Sequence, residues 1–412
     1  MMRRTKTNVT RRQLLAGAAA GAAVGTLGFP AVLRAQVPSV KVGILHPVTG
    51  AVSYSGTQSR AGALIAVEEI NAAGGIKALG GAKIEPLLAD AQSRPDVGAA
   101  EIEKLNEAGA VAVIGPYASA IAIATTAAAA KHNLPHLVDV GVADQVVTRG
   151  LTNTFRFAPG LAKTVETAIN NLVKLNEAAG KPVKTVMIIH EESAFGSGMA
   201  STLNAELPKH GFEIVETIKH ANPTRDFSNI VLRVQARKPD LIIPSNYYNE
   251  YVLFARALRQ QRVQTKGIYS ILGGGASSYK FVKEFPDAAA YVMDCNHWFD
   301  PRKAQALALK DKVEKQGLFF TYEVFLNYCN VYLLADALER AASTKREDII
   351  AALASSTWDK HIMPYGPTKF VNGQNEGAQP VNTQVLDNDI KVIFPLEFAS
   401  ANAVFPVPER KG

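Results

Sequence analysis

The sequence predicts an α/β protein of two similarly built lobes, and three observations predict it. Apolar runs of four or five residues recur, at 111–114 and 185–189 for example, each the length of a buried strand and too short for a helix. Stretches of ten or more residues with helical spacing separate them, and strands alternating with such helices make βαβ units and a parallel sheet. The alternation runs through residues 41–138 and restarts at residue 161, and 412 residues suit two domains better than one. Binding is then expected beyond the carboxyl ends of the strands.

In order, 41–46 reads as the first strand, 47–50 as a turn and 51–56 as a small-residue loop. A helix follows to about residue 71, with Leu64, Val67 and Ile70 on one face and Gly74-Gly75 in the position that stops helices. Strands at 83–90, 111–115 and 134–138 alternate with helices at 96–107 and 118–132. The second set reads helix 161–178, strand 185–189, a loop and helix over 190–210, strand 212–217, helix 228–237, strand 240–244 and helix 251–260. Further strands fall at 267–272 and 291–295. A long helix at 322–341 carries Leu333, Leu334, Ala337 and Leu338 in its apolar stripe, and 366–395 reads as a hairpin with strands at 368–372 and 381–386.

One stretch is placed to do chemistry. Strand 111–114 runs through Gly115-Pro116 into an Ala/Ile-rich helix, which gathers unpaired N–H groups and the positive end of the helix dipole at one point. Ser119 stands there with a hydroxyl, either to help hold a carboxylate or to cap its own helix. Tyr54, Tyr117, Phe195, Tyr247, Tyr248 and Tyr269 fall on segments read as loops after strands. Six aromatics at strand ends suit a cleft that closes on a small ligand, with about half of them expected to be ordinary packing residues.

Composition excludes several classes. Of the formal charge of +7, six positive charges (Arg3, Arg4, Lys6, Arg11, Arg12 and Arg34) lie in residues 1–36, which hold no acid. The remainder is near neutral, so no nucleic-acid partner is expected. Arg11-Arg12 followed by a mildly apolar Ala/Gly segment is a twin-arginine export pattern with a cut after Ala35; as a membrane anchor 14–33 would be only weakly apolar. Cys295 and Cys329 are read as two buried free thiols without metal-ligand spacing. Gly196-Ser197-Gly198 lacks the third glycine of a dinucleotide loop, His190-Glu191-Glu192 lacks a second histidine four residues on, and no GxSxG elbow appears. No catalytic residue, cofactor or metal is expected. Gly273-Gly274-Gly275 reads as backbone passing through a crowded cleft.

A resemblance adds to this. Residues 44–50, Gly56, Gly62-Ala63, 69–76, Asp90-Ala91-Gln92, 99–105, 113–116 with Ser119, and Tyr328 with Ala337-Leu338 together resemble the periplasmic leucine/isoleucine/valine-type binding proteins, over about residues 38–396. That family comprises solute receptors of ABC importers. The resemblance implies the periplasmic binding protein type I fold, two Rossmann-like α/β lobes with parallel sheets joined by three crossover strands. It implies lobe one over 37–158 plus 295–379, and lobe two over 159–294 plus 380–412. It further implies a periplasmic monomer that closes on its ligand and is read by membrane permease subunits.

Site residues carry over one at a time. Ser119 matches the serine that holds the ligand carboxylate, and Gly141 and Ala143 match the next backbone contacts, Ala143 lacking a hydroxyl common at that position. Ser55 matches an aromatic position, with Tyr54 beside it; Phe195 and Tyr247 match two aromatics of lobe two, and Tyr117 adds a third near the serine. The acid that takes an ammonium falls near Ile271 or Gly273, neither of which can do so. Glu323 either replaces it or is a solvated helix residue. The implied ligand is a small carboxylate with an apolar body. A branched-chain amino acid is the family default, and an aromatic or aliphatic acid or an amide without the amine is the rival. An exported ligand sensor is a further alternative.

Overall fold

The computed structural model describes residues 37–409. Two seven-stranded sheets organise it. The first takes β1 (Val40–His46), β2 (Ile84–Asp90), β3 (Ala112–Ile114), β4 (His136–Val138) and β5 (Thr154–Arg156). All five run parallel in the order β5-β4-β3-β1-β2, and β11 (Phe370–Val371) and β12 (Gln374–Asn375) extend the β5 edge. The second takes β6 (Thr185–Glu191), β7 (Glu213–His220), β8 (Leu241–Ser245), β9 (Gly267–Ile271) and β10 (Met293–Asn296) in the matching order β10-β9-β8-β6-β7. The antiparallel pair β13 (Val381–Leu386) and β14 (Asp389–Phe394) extends it from β10. The chain therefore passes between the sheets three times, after β5, β10 and β12.

In both sheets the strand order reverses beside the first strand: β1 lies between β2 and β3, and β6 between β7 and β8. Connections leave these neighbours in opposite directions, so a crevice opens at their carboxyl ends. The helices entering it are α1 (Ser53–Ala72) after β1 and α3 (Ser119–Ala130) after β3, with α2 (Pro95–Glu107) between them in sequence. In the second lobe α4 (Leu161–Ala178) precedes β6, α5 (Ala194–Glu206) follows it, α6 (Ser228–Arg237) follows β7 and α7 (Tyr248–Gln260) follows β8. The α3 sequence, SAIAIATTAAAA, consists mostly of the strongest helix former and needs little else to be helical.

Helices α8 (Tyr279–Glu284) and α9 (Pro286–Ala289) precede β10, and α10 (Ala304–Lys315), α11 (Tyr322–Ala341) and α12 (Arg346–Ala354) lie between β10 and β11. The long α11 returns the chain to the first lobe and lies along α1. Their approach is so close that a Cβ on Gly62 would overlap the Val324 carbonyl.

Several expectations need correction. The helix after the first strand begins at Ser53, so Tyr54 and Ser55 belong to its first turn and not to a loop. Tyr269 lies inside β9, where its hydroxyl donates to the Ala168 carbonyl at 2.9 Å; it is a core residue. The tail is two hairpins serving two different sheets, not one. The short β5 and helices α8, α9, α10 and α12 were not foreseen. Cys295 and Cys329 are both free and buried, as expected. The twin-arginine segment lies outside the described residues. Among the described residues no helix is long and apolar enough to cross a membrane, and no group of three His, Cys, Asp or Glu side chains is placed to hold a metal.

Candidate functional site

The loops at the two reversal points face each other. Ring pairs join across the gap: Tyr54 with Tyr248 (centroids 4.3 Å apart) and Tyr117 with Tyr247 (5.8 Å). The Asn249 side-chain amide reaches the Ala51 carbonyl at 3.3 Å. Between them lies a cavity walled by Tyr117, Ser119, Val140 and Val142 from the first lobe and by Phe195, Tyr247 and Leu272 from the second. Asn296 and His297, where the chain leaves β10, and Tyr322, at the start of α11, complete the wall. Only about 20 Å³ is open to the centre of a water molecule, room for a water and not for an amino acid.

Ser119 is the first residue of α3. Ala118 occupies the capping position and gives no side-chain cap, so the reading of Ser119 as a cap for its own helix does not hold. Its Oγ instead accepts from the Ala143 N–H at 3.2 Å, which leaves the hydroxyl proton to be given toward the cavity. The dipole end of α3 carries no acid in its first turn and is not neutralised. The equivalent end of α5 is: Glu191 accepts from the Ser193 and Gly196 N–H groups, each at 2.6 Å. Burial nevertheless pushes the Glu191 carboxyl upward, with these donors opposing it.

The loop carrying Gly141 and Ala143 is fixed from below by Arg156. This buried guanidinium donates from Nη1 to the carbonyls of Gly141 (3.2 Å), Val142 (2.8 Å) and Ala143 (2.8 Å), and from Nε to Gln374 (2.7 Å). Burial lowers its pKa to about 10, so it stays charged at neutral pH. Both backbone polar groups of Ala143 are thus engaged within the protein, and of this loop it is Val140 and Val142 that reach the cavity.

Of the residues picked from sequence, Ser119, Tyr117, Phe195 and Tyr247 are brought together in the cavity wall. Tyr54 forms the interlobe ring contact instead, and Ser55 sits behind Tyr117. Glu323 is 1% exposed, which rules out a solvated helix residue. Burial raises its carboxyl to about 7 against the opposing hydroxyls of Thr321 and Ser55, and Oε1 has no partner. No acid stands at Ile271 or Gly273, but Asp294 lies behind Gly273 and accepts from its N–H (3.3 Å), from Ser277 (2.7 Å) and from Asn296 (2.9 Å). Burial pushes Asp294 up to about 6. The glycine run does let backbone pass: a Cβ on Gly274 would lie 2.6 Å from the Tyr248 nitrogen. Arg156 and Asp294 are not picked out by the sequence, where a lone charge within a short apolar strand is the available signal, and Glu191 is weighed there only as part of a failed zinc motif and not as the acid that holds α5.

Residues 39–389 match the family described as periplasmic binding protein. The chain belongs to that family. The periplasmic binding proteins are solute-binding proteins and not enzymes. Among this chain's relatives, Leu/Ile/Val-binding protein homolog 8 of Brucella suis is 26% identical over 409 residues, covering 95% of this chain and 98% of its own. Solved neighbours share the fold. The branched-chain amino acid transporter substrate-binding protein of Streptococcus pneumoniae, in complex with isoleucine, superposes with a TM-score of 0.73 at 21% identity, covering 86% of this chain and 99% of its own. A solute-binding protein of an ABC transporter from Rhodopseudomonas palustris, in complex with benzoate, gives 0.73 at 19% identity, covering 91% and 98%.

Proposed function

We propose that this periplasmic binding protein captures a small carboxylate with an apolar body between its lobes and delivers it to the permease subunits of an ABC importer. The observation that carries the reading is the uncapped, unneutralised start of α3, where Ser119 has a proton to give. The lobes are taken as residues 37–158 with 295–379, and 159–294 with 380–412. Export through the Arg11-Arg12 segment and action as a monomer belong to the same reading. Relatives named for leucine, isoleucine and valine favour a branched-chain amino acid.

One observation favours an aromatic or aliphatic acid without the amine. The second-lobe wall is Phe195, Tyr247 and Leu272, and its nearby acid, Glu191, is consumed in holding α5. The benzoate-bound neighbour has the same fold. A thermal-unfolding panel of leucine, isoleucine, valine, benzoate and 4-hydroxybenzoate tests the proposal. At a hundredfold excess over Kd a true ligand stabilises by about 2.7 kcal/mol. Failure of every carboxylate to raise Tm overturns the reading.

A further inference from the structure

We propose that His297 is a ligand-binding residue of this cleft, and that its imidazole pairs with a hydroxyl carried on the apolar body of the ligand, which makes the ligand a hydroxy-substituted carboxylate. The inference rests on the carboxylate reading above and names the ligand class within it. Among the side chains that wall the cavity, His297 alone has polar atoms without a partner in the protein, and it has two, Nδ1 and Nε2. Its ring is fully buried. The other polar groups of the wall are engaged. Ser119 Oγ accepts from the Ala143 N–H, the Tyr117 and Tyr322 hydroxyls lie 3.1 Å apart, and the Tyr247 hydroxyl lies 3.3 Å from Ser193 Oγ. The Asn296 amide donates to the Gly273 carbonyl (3.2 Å) and to Asp294 (2.9 Å). Asn296 Oδ1 accepts from the His297 backbone N–H at 2.7 Å, which fixes the chain that carries the ring.

A buried polar group left unpaired is costly, and two on one ring in a cavity wall mark where a bound molecule pairs. The rings of His46 and His136 are equally buried and also lack partners, but neither borders the cavity; only His297 is placed to meet a ligand.

The surroundings of the ring choose a hydroxyl over an ammonium. No side chain of the wall is acidic, and Glu191, Asp294 and Glu323 all stand outside it. A buried imidazolium there would be an unpaired charge. Burial, with the Arg156 guanidinium adding to it, accordingly lowers the His297 pKa to about 3. The ring is therefore neutral, with one nitrogen giving a proton and the other accepting one. A hydroxyl matches it, because a hydroxyl also gives one proton and accepts. An ammonium only gives, and beside His297 it would be buried without a counter-charge. The ligand then spans from the start of α3, which takes its carboxylate, to the passage after β10, where His297 takes its hydroxyl.

Calorimetric titration of the full chain tests this with two matched series: leucine, 2-hydroxy-4-methylpentanoate and 4-methylpentanoate, and 4-hydroxybenzoate against benzoate. In the series that binds, the hydroxy acid is expected to be about tenfold or more tighter than its hydroxyl-free counterpart, and in the aliphatic series tighter than leucine as well. In His297→Phe the ratio within the pair is expected to fall toward one, and His297→Gln, which keeps a donor and an acceptor, is expected to retain part of it. Thermal unfolding checks that the variants fold; if His297→Phe does not, the wild-type ratios decide alone. Equal binding within the pair, leucine tighter than its hydroxy counterpart, or a hydroxyl preference undiminished in His297→Phe overturns the inference and leaves the carboxylate reading intact. Binding of none of the five overturns both.

Discussion

Ser119 has two jobs that one substitution separates. Its oxygen receives the buried Ala143 N–H, and its proton remains for a ligand. Ser119→Ala removes both, so the protein should lose stability for the orphaned N–H and should also bind carboxylate more weakly, each by roughly 1–3 kcal/mol. Ser119→Thr restores both. Calorimetric titration beside thermal unfolding reads the two separately. A variant that loses stability at unchanged affinity would leave the hydroxyl a purely structural role. The position of Ser119 was legible because a strand, a Gly-Pro break and an Ala-rich helix are consecutive in the chain. The roles of Arg156 and Asp294 were not. Arg156 meets Gln374, 218 positions away, and Asp294 meets Ser277 and Gly273, 17 and 21 positions back. No local spacing carries such pairings.

At the scale of elements, the α1–α11 contact matters most to the site, because the first turn of α11 carries Tyr322 and Glu323. Gly62 lets the two backbones meet. Gly62→Ala should therefore destabilise by about 1–3 kcal/mol through overpacking. It should also weaken ligand binding, since relief of the clash moves α11 and with it Tyr322 of the cavity wall. Chemical denaturation and titration check the two effects, and a variant with wild-type stability would mean that the helices separate without cost. Alternating strands and helices were readable here because buried parallel strands are continuous apolar runs, as in Thr185–Glu191 and Leu241–Ser245. The tail was misread for a physical reason. A hairpin pattern fixes which strands are extended and not which sheet they join, and β11–β12 and β13–β14 go to different sheets. Phe370–Val371 and Gln374–Asn375 are also two residues each, too short to show a period.

Across the whole molecule, the geometry constrains how a ligand gets in. Walls from both lobes touch through Tyr54–Tyr248, Tyr117–Tyr247 and Asn249–Ala51, and only about 20 Å³ between them is open to the centre of a water molecule. A body the size of leucine cannot enter by side-chain rotation within that volume, so the lobes must part about the three passages after β5, β10 and β12. Ala51→Cys together with Asn249→Cys places a thiol on each lip, where the Asn249 amide now meets the Ala51 carbonyl. Oxidised, the pair should hold the lobes together and abolish both uptake and release; reduced, it should bind as the unmodified chain does. The native thiols will not interfere, because Cys295 and Cys329 are buried and burial raises both thiol pKa values, Cys329 to about 12. Loading before oxidation should trap the ligand through dialysis, and oxidation before loading should exclude it. Equal binding by the fully oxidised and reduced forms would show that the ligand reaches its site without separation of the lobes.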